Sequence, residues 1–140
     1  MKKASFGFAE KLYLNEVRET CGALLLLYAI ARWKVSKANA KKHLEMLCKV
    51  SEWVKQNRKK CYFEHSTYCL LKTEDPSIET WMNIDEYKDQ ESYEEFTKTF
   101  QKSNPDYAGL FKIEEKVLSL LVPNSLTREV YIEKPELRIP

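Results

Sequence analysis

Residues 57–71 read NRKKCYFEHSTYCLL, and the secondary structure of this stretch decides between a helical and a mixed fold. It holds two of the four cysteines and one of the two histidines of the 140-residue chain. Alternate residues would share one face of a strand, whereas Cys61, His65 and Cys69 would share one face of a helix. Aromatic residues and a threonine favour the strand, with a hydrogen-bonded histidine on a partly apolar face. The helix stays open as an alternative.

The first sixty residues carry two helix signals. Residues 8–33 join an apolar stripe to the apolar run CGALLLLYAIA, which predicts a central helix surrounded by others. Residues 37–58 form an amphipathic pattern in which His43, Leu47 and Val50 share a stripe opposite a lysine-rich face.

The second half carries three more helix signals. Asp75 and Pro76 have the sequence of an N-cap followed by the first helical residue. Ser92 and Glu95 form a capping box at the start of SYEEFTKTFQK. Residues 107–122 show an apolar stripe at helical spacing.

These signals together predict a mainly α fold, with α+β as a possible variant. We expect one compact domain over residues 1–140, with about five helices. The segment TREVYIEK alternates apolar and polar residues, as a strand does. A small two-stranded β element is therefore expected, in which residues 61–70 pair with residues 127–134.

Composition restricts the function classes. Only three glycines occur, and no glycine-rich phosphate loop or nucleophile elbow is present, so we expect no cofactor. The run from Cys21 to Ala31 is too short to span a bilayer, and charged residues separate it from the basic start, unlike a signal peptide. The sequence thus predicts a cytoplasmic protein with reduced thiols and no membrane contact.

A metal site is the first chemical reading of the histidines and cysteines. Thiolates and imidazoles are natural zinc ligands, and the candidates are His43, Cys48, Cys61, His65 and Cys69. Their spacings match no standard zinc finger. On a helix that turns ~100° per residue, a ligand five positions after another points well away from it. We expect no metal site.

A nuclease motif is the second reading. Arg58 and His65 are separated by six residues, and this R-x4–6-H spacing resembles the active motif of the HEPN ribonucleases, which are compact helical dimers. The resemblance implies His65 as acid or base and Arg58 as a stabiliser of phosphate charge. The basic helix offers a matching phosphate-binding face at Lys41, Lys55, Arg58 and Lys59. The same face also fits a solvated, salt-bridged surface.

An acidic stretch supplies the leading functional hypothesis. Residues 74–95 contain nine acidic residues and one lysine, with aromatic residues between them. Such a surface can bind a basic partner. The residues predicted to do so are Asp85, Glu86, Tyr87, Glu91, Tyr93 and Glu94.

The functional expectation follows from these patterns. No catalytic constellation stands out, so the leading hypothesis is a small non-enzymatic binding protein, a regulator or inhibitor, whose partner is another protein with a basic surface. An RNA-directed protein, with or without ribonuclease activity, is the alternative. A structural subunit of a larger assembly is the third, and homo-oligomers are compatible with all three.

Overall fold

The computed structural model describes residues 25–72, 75–137 and 139, which form one four-stranded antiparallel sheet and three α-helices. In chain order the elements are β1 (Leu27–Ser36), α1 (Ala40–Gln56), β2 (His65–Leu71), β3 (Ile78–Tyr87), α2 (Gln90–Thr99), α3 (Ala108–Ser119) and β4 (Thr127–Ile132). The strand order is β2-β3-β1-β4. Two split β-α-β units interleave in this way, which is the α+β ferredoxin-like fold. No helix in the described ranges is long and apolar enough to cross a membrane.

The prediction of a mainly α fold is therefore wrong. Its central helix over residues 8–33 fails where it can be compared, because Leu27–Ser36 is a strand, and residues 8–24 lie outside the described residues. This strand is paired on both sides, with β3 and with β4. A central strand is apolar over much of its length, and a short apolar run does not distinguish such a strand from a buried helix.

The strand favoured for residues 61–70 is confirmed as His65–Leu71, without residues 61–64, and the strand over TREVYIEK is confirmed as Thr127–Ile132. Their predicted pairing is wrong. The strands β2 and β4 lie at opposite edges of the sheet, with β3 and β1 between them. The predicted pair lacked the two central strands, because both of those segments had been assigned to helices.

Two N-terminal helix signals also need correction. Asp75 accepts hydrogen bonds from the backbone N–H and the hydroxyl of Ser77, at 2.8 and 2.6 Å, but this local turn leads into strand β3. Aspartate makes the same bonds in a turn and in a helix cap. The helix predicted at Ser92 does form, yet its N-cap is Asp89, whose carboxylate accepts from the backbone N–H of Ser92 at 2.7 Å.

The helices cover one face of the sheet, here called the inner face. The predicted helices at 37–58 and 107–122 are confirmed as α1 and α3. One core cluster packs Leu27 and Tyr87 of the sheet against Phe63 and Tyr93, and a second packs β1 against α1 and α3. The opposite, outer face carries the other alternate side chains of every strand, none of which belongs to a core cluster of the described residues.

Candidate active site

A cavity of about 450 Å³ lies between the inner face of the sheet and the three helices. Its floor is Ala29 and Ala31 of the central strand β1. The inner-face neighbours in the same strand, Leu27 and Trp33, are large and almost completely buried. The alternation along β1 therefore fills the core at both ends of the strand and leaves a gap over the two small side chains.

The register of the sheet places polar side chains on both sides of this floor. Asp85 of β3 is opposite Ala29, and Asn83 is opposite Ala31. Arg128 of β4 is opposite Ala31 on the other side. Neighbouring strands are ~4.8 Å apart, so the backbones of Asn83 and Arg128 are about 10 Å from each other, with Ala31 between them. The Asn83 amide and the Arg128 guanidinium thus flank Ala31. All of these residues line the cavity.

Glu114 of α3 reaches the same cavity from the helix side. Burial raises its pKa to about 7, while the nearby Arg128 lowers it and Asp85 raises it further. Its Oε2 atom is buried and has no hydrogen-bond partner among the described residues. This carboxyl therefore exchanges its proton near neutral pH, which is the range suited to general acid–base catalysis.

Asp85 is the second carboxyl of the cavity. Burial raises its pKa to about 6, against hydrogen bonds from Ser66 and Asn83 that lower it. The Asn83 amide also donates to the Ser66 hydroxyl at 3.1 Å and to the carbonyl of Thr67 at 3.3 Å. These contacts hold the three polar side chains of β2 and β3 together. Within the described chain, Asp85 Oδ1 is buried without a partner.

Arg128 is a cation of the cavity that interacts with Glu114. Burial lowers its pKa, and Glu114 and Tyr93 raise it again through their charges. A desolvated guanidinium beside a carboxyl is a strong donor to any oxygen that develops negative charge.

Aromatic side chains form the remaining walls. The rings of Tyr87 and Tyr93 meet edge to face with centroids 5.1 Å apart, and Phe63 and Phe96 pack against Tyr87. Tyr68 of the edge strand is 38% exposed as a whole, yet burial of its hydroxyl raises the pKa. The walls are thus largely apolar, with a few polar groups at fixed positions, as in small-molecule sites.

The predicted nuclease pair lies at the rim of the cavity. Arg58 donates to the carbonyls of Phe63 and Glu64 at 2.7 and 2.9 Å, and its guanidinium lies over the Phe63 ring at 4.9 Å. His65 is exposed at the first position of β2. Arg58 thus stabilises the segment before β2. The pair does not lie on the helical scaffold that the resemblance implies, because His65 is in a strand. Lys41, Lys55 and Lys59 are exposed.

The predicted acidic surface is divided by the strand geometry. Three of its six residues line the cavity: Asp85, Tyr87 and Tyr93. Glu86 faces the outer side of β3 because successive strand residues point to opposite faces. Glu91 is exposed on α2, and Glu94 accepts from Gln90 at 2.8 Å. Partner binding by Glu86, Glu91 and Glu94 stays a prediction.

The candidate metal ligands are dispersed. His43 is completely buried, and this burial lowers its pKa. Its Nε2 accepts from the indole N–H of Trp33 at 2.9 Å. Cys48 is exposed, whereas Cys61 and Cys69 are half-buried. Over the residues that the structure describes, no group of three or more potential ligands is placed to hold a metal ion.

Sequence reasoning missed Glu114, Arg128, Asn83 and Ser66. One signal was present in β4, where Arg128 shares the parity of Val130 and so faces inward with it. A charged residue at an inward position indicates a functional site. Glu114 had no comparable signal, because Glu115 follows it directly in the same helix and nothing in the sequence distinguishes the two.

No family model matches the sequence, and no curated protein matches it either. Solved structures share its fold at low sequence identity. SnoaB, a cofactor-independent oxygenase from Streptomyces nogalater, is 11% identical with a TM-score of 0.51 over 82% of this chain and 97% of its own. A candidate antibiotic biosynthesis monooxygenase from Caulobacter crescentus is 13% identical, with a TM-score of 0.52 over 89% and 96%. A dimeric ferredoxin-like protein from an uncultured marine organism is 11% identical, with a TM-score of 0.51 over 84% and 95%.

The functional expectation from sequence is corrected by these findings. A helical regulator or inhibitor with an acidic surface was expected, and a helical RNA-directed protein or ribonuclease was its alternative. The chain instead has a ferredoxin-like fold that it shares with oxygenase structures, and its acidic stretch contributes to the wall of an internal cavity. The expectation of a helical binding protein was therefore wrong.

Proposed function

We propose that the protein is an oxygenase that oxidises a small ring-containing molecule in the cavity. The observation that carries the proposal is the pair of buried carboxyls, Asp85 and Glu114, whose pKa values are raised to about 6 and about 7 in a largely apolar site. Perturbed groups of this kind cluster at catalytic sites. The fold shared with a cofactor-independent oxygenase supports the same reaction class.

Glu114 is the proposed general base. A ring methylene of the substrate gives a proton to Glu114, and the electron pair of the broken C–H bond remains as a carbanion. Dioxygen takes up this electron pair and forms a C–O bond at the same carbon, and the proton returns to the outer oxygen of the peroxide. The second hydrogen of that carbon then leaves as a proton, the O–O bond breaks, and water and a carbonyl group result. The carbon is oxidised and dioxygen is reduced.

Arg128 is the proposed stabiliser of the anion. Removal of the proton places negative charge on an oxygen conjugated with the reacting carbon, and the guanidinium can donate to that oxygen. The aromatic walls lower the local dielectric constant around the guanidinium, which strengthens this interaction. Asp85 faces the substrate from the opposite side of the alanine floor.

Oxygen uptake tests the proposal. Dithranol, a hydroxylated anthrone with an acidic ring methylene, is supplied as the substrate, and dioxygen consumption is measured against a protein-free blank. We expect uptake with incorporation of one atom of labelled oxygen into the product, and a loss of roughly a hundred-fold or more in Glu114→Gln. Glu115→Gln is the control, because Glu115 is exposed on the same helix and contacts Lys102 at 3.7 Å. Equal rates of oxygen uptake in the parent and in Glu114→Gln would show that Glu114 is not the general base.

We also propose that the protein is a homodimer formed through the outer face of the sheet. An apolar pair lies at the centre of this face, Ile30 of β1 and Ile84 of β3, beside the salt bridge between Arg32 and Glu129. Other apolar residues of this face are Tyr28, Leu71, Ile78, Met82 and Tyr131. An apolar sheet face of this kind is typical of an interface, and a solved structure of the same fold is dimeric.

Sedimentation tests the dimer. Ile84→Lys should yield a monomer, because it places a charge in the middle of the proposed interface. Leu44→Lys, at a 52% exposed position on α1, should leave the dimer intact. A monomeric parent protein at micromolar concentration would contradict this proposal.

A further inference from the structure

Two carboxylate oxygens of the cavity lack hydrogen-bond partners within the described part of the chain. They are Asp85 Oδ1 and Glu114 Oε2, and both atoms are buried. A buried acceptor that has lost its water and gained no partner is unfavourable. The two carboxyls come from the sheet and from α3, so a single ligand between them can meet both oxygens. A ligand that supplies two donor hydrogens recovers part of this cost.

The shape of the cavity restricts the ligand further. The floor over Ala29 and Ala31 has no side chain beyond Cβ, and the larger inner-face residues of β1 lie on either side of it. The helix-side wall comes from residues such as Val54, Phe96 and Leu110. A flat ring can lie between the two alanines and the apolar helix side chains and make van der Waals contact with both over its whole surface.

The charges of the cavity also restrict which ligands can bind. Two carboxyls oppose an anionic ligand, and the half-buried Arg128 already interacts with Glu114. A cationic ligand would have to lose its water among apolar walls and sit near the same guanidinium. A neutral ligand with donor groups avoids both costs.

We infer that the cavity selects flat, uncharged molecules with two hydrogen-bond donors, and that Asp85 and Glu114 exclude anions. Ala29 and Ala31 set the thickness of the molecule that enters. This inference rests on the proposed function and names the substrate class for the same site.

Calorimetry under nitrogen tests the donor requirement. The probes are naphthoresorcinol, its dimethyl ether, and the hydroxynaphthoate that carries a carboxylate in place of one hydroxyl. Naphthoresorcinol should bind roughly ten-fold or more tightly than the ether, which lacks donors for the two oxygens. The naphthoate should bind at least as weakly as the ether. Equal affinity for all three probes would overturn the inference.

Substitutions test the residues. In Asp85→Asn and Glu114→Gln, binding of the naphthoate should improve roughly ten-fold, because a repelling charge is replaced by a neutral amide of the same size. A structural role alone would not reverse the preference for the charged probe. Unchanged or weaker naphthoate binding in both variants would overturn the exclusion of anions.

The floor is tested by adding volume. Ala31→Leu should abolish binding of all probes, and Ala108→Leu, with the same change at an exposed position of α3, should keep it. Because Ala31→Leu could also disturb the core, Ala31→Val and a circular dichroism spectrum accompany it. Full binding in a folded Ala31→Leu protein would overturn the role of the floor. These anaerobic measurements are independent of oxygen uptake, so selective binding without uptake would contradict only the oxygenase proposal.

Discussion

Asp85→Asn should make the protein more stable at neutral pH. The substitution keeps the size of the side chain and removes the carboxyl whose pKa is raised to about 6 from 3.8 by burial. Two pKa units correspond to about 3 kcal/mol. The ionised form of this buried group therefore costs the parent fold roughly that amount of free energy, which the amide does not incur.

The sign and pH range follow from linkage. The folded pKa of Asp85 lies above the unfolded value. Burial of this carboxyl therefore costs the parent the least unfolding free energy below about pH 4, and the cost grows as the pH rises through about 6. The free energy of unfolding of Asp85→Asn, minus that of the parent, should therefore increase by up to about 3 kcal/mol between about pH 4 and pH 7. Glu114 titrates in both proteins, and subtraction removes most of its contribution.

Urea denaturation followed by circular dichroism, at a series of pH values, measures this difference. Glu86→Gln, on the outer face of the same strand, controls for the loss of one negative charge from the chain. A difference between Asp85→Asn and parent that stays constant across the pH range would refute the reasoning, because it would mean that the buried carboxyl does not titrate with folding.

Two stability predictions complete the set. Asp89→Ala should cost about 1 kcal/mol of unfolding free energy, because it removes the N-cap that accepts from the backbone N–H of Ser92, whereas Ser92→Ala should cost less; equal costs would contradict the assigned cap. Leu27→Ala should cost about 2–5 kcal/mol in urea denaturation, because Leu27 is 1% exposed in the central strand, and Leu44→Ala, at a 52% exposed position, should change stability by only about 0.5 kcal/mol or less. A cost at Leu27 as small as that at Leu44 would contradict the core assignment.

The helices were the part of the fold that sequence predicted best. In α1 the apolar stripe repeats at helical spacing over seventeen residues, long enough to exclude a strand, and three of its members (His43, Leu47 and Val50) are buried as predicted. The central strands β1 and β3 were missed for opposite reasons. The first resembles a buried helix because it is apolar, and the second begins after a turn that resembles a helix cap.

The candidate site was predicted only in part. Asp85 and Arg58 were singled out for other functions, and the structure places both at the cavity. Their new setting depends on which strands pair, because Asp85 faces the site only through its register with Ala29. Glu114 and Arg128, which are fourteen positions apart in the chain, meet across the cavity through the packing of α3 on the sheet.

The sequence by itself indicated where α1, α2 and α3 lie and which of their faces are apolar, because hydrophobic periodicity acts over a few neighbouring residues, but it also indicated a helix from Asp75 where the chain forms β3. It also predicted β4 as a strand and favoured a strand over a helix for β2. Only the tertiary structure decided the strand order, the gap above Ala29 and Ala31, and the burial of two carboxyls within it. The physical reason is that pairing and desolvation depend on residues distant in the chain. The pKa of a carboxyl therefore changes only when the fold removes its water.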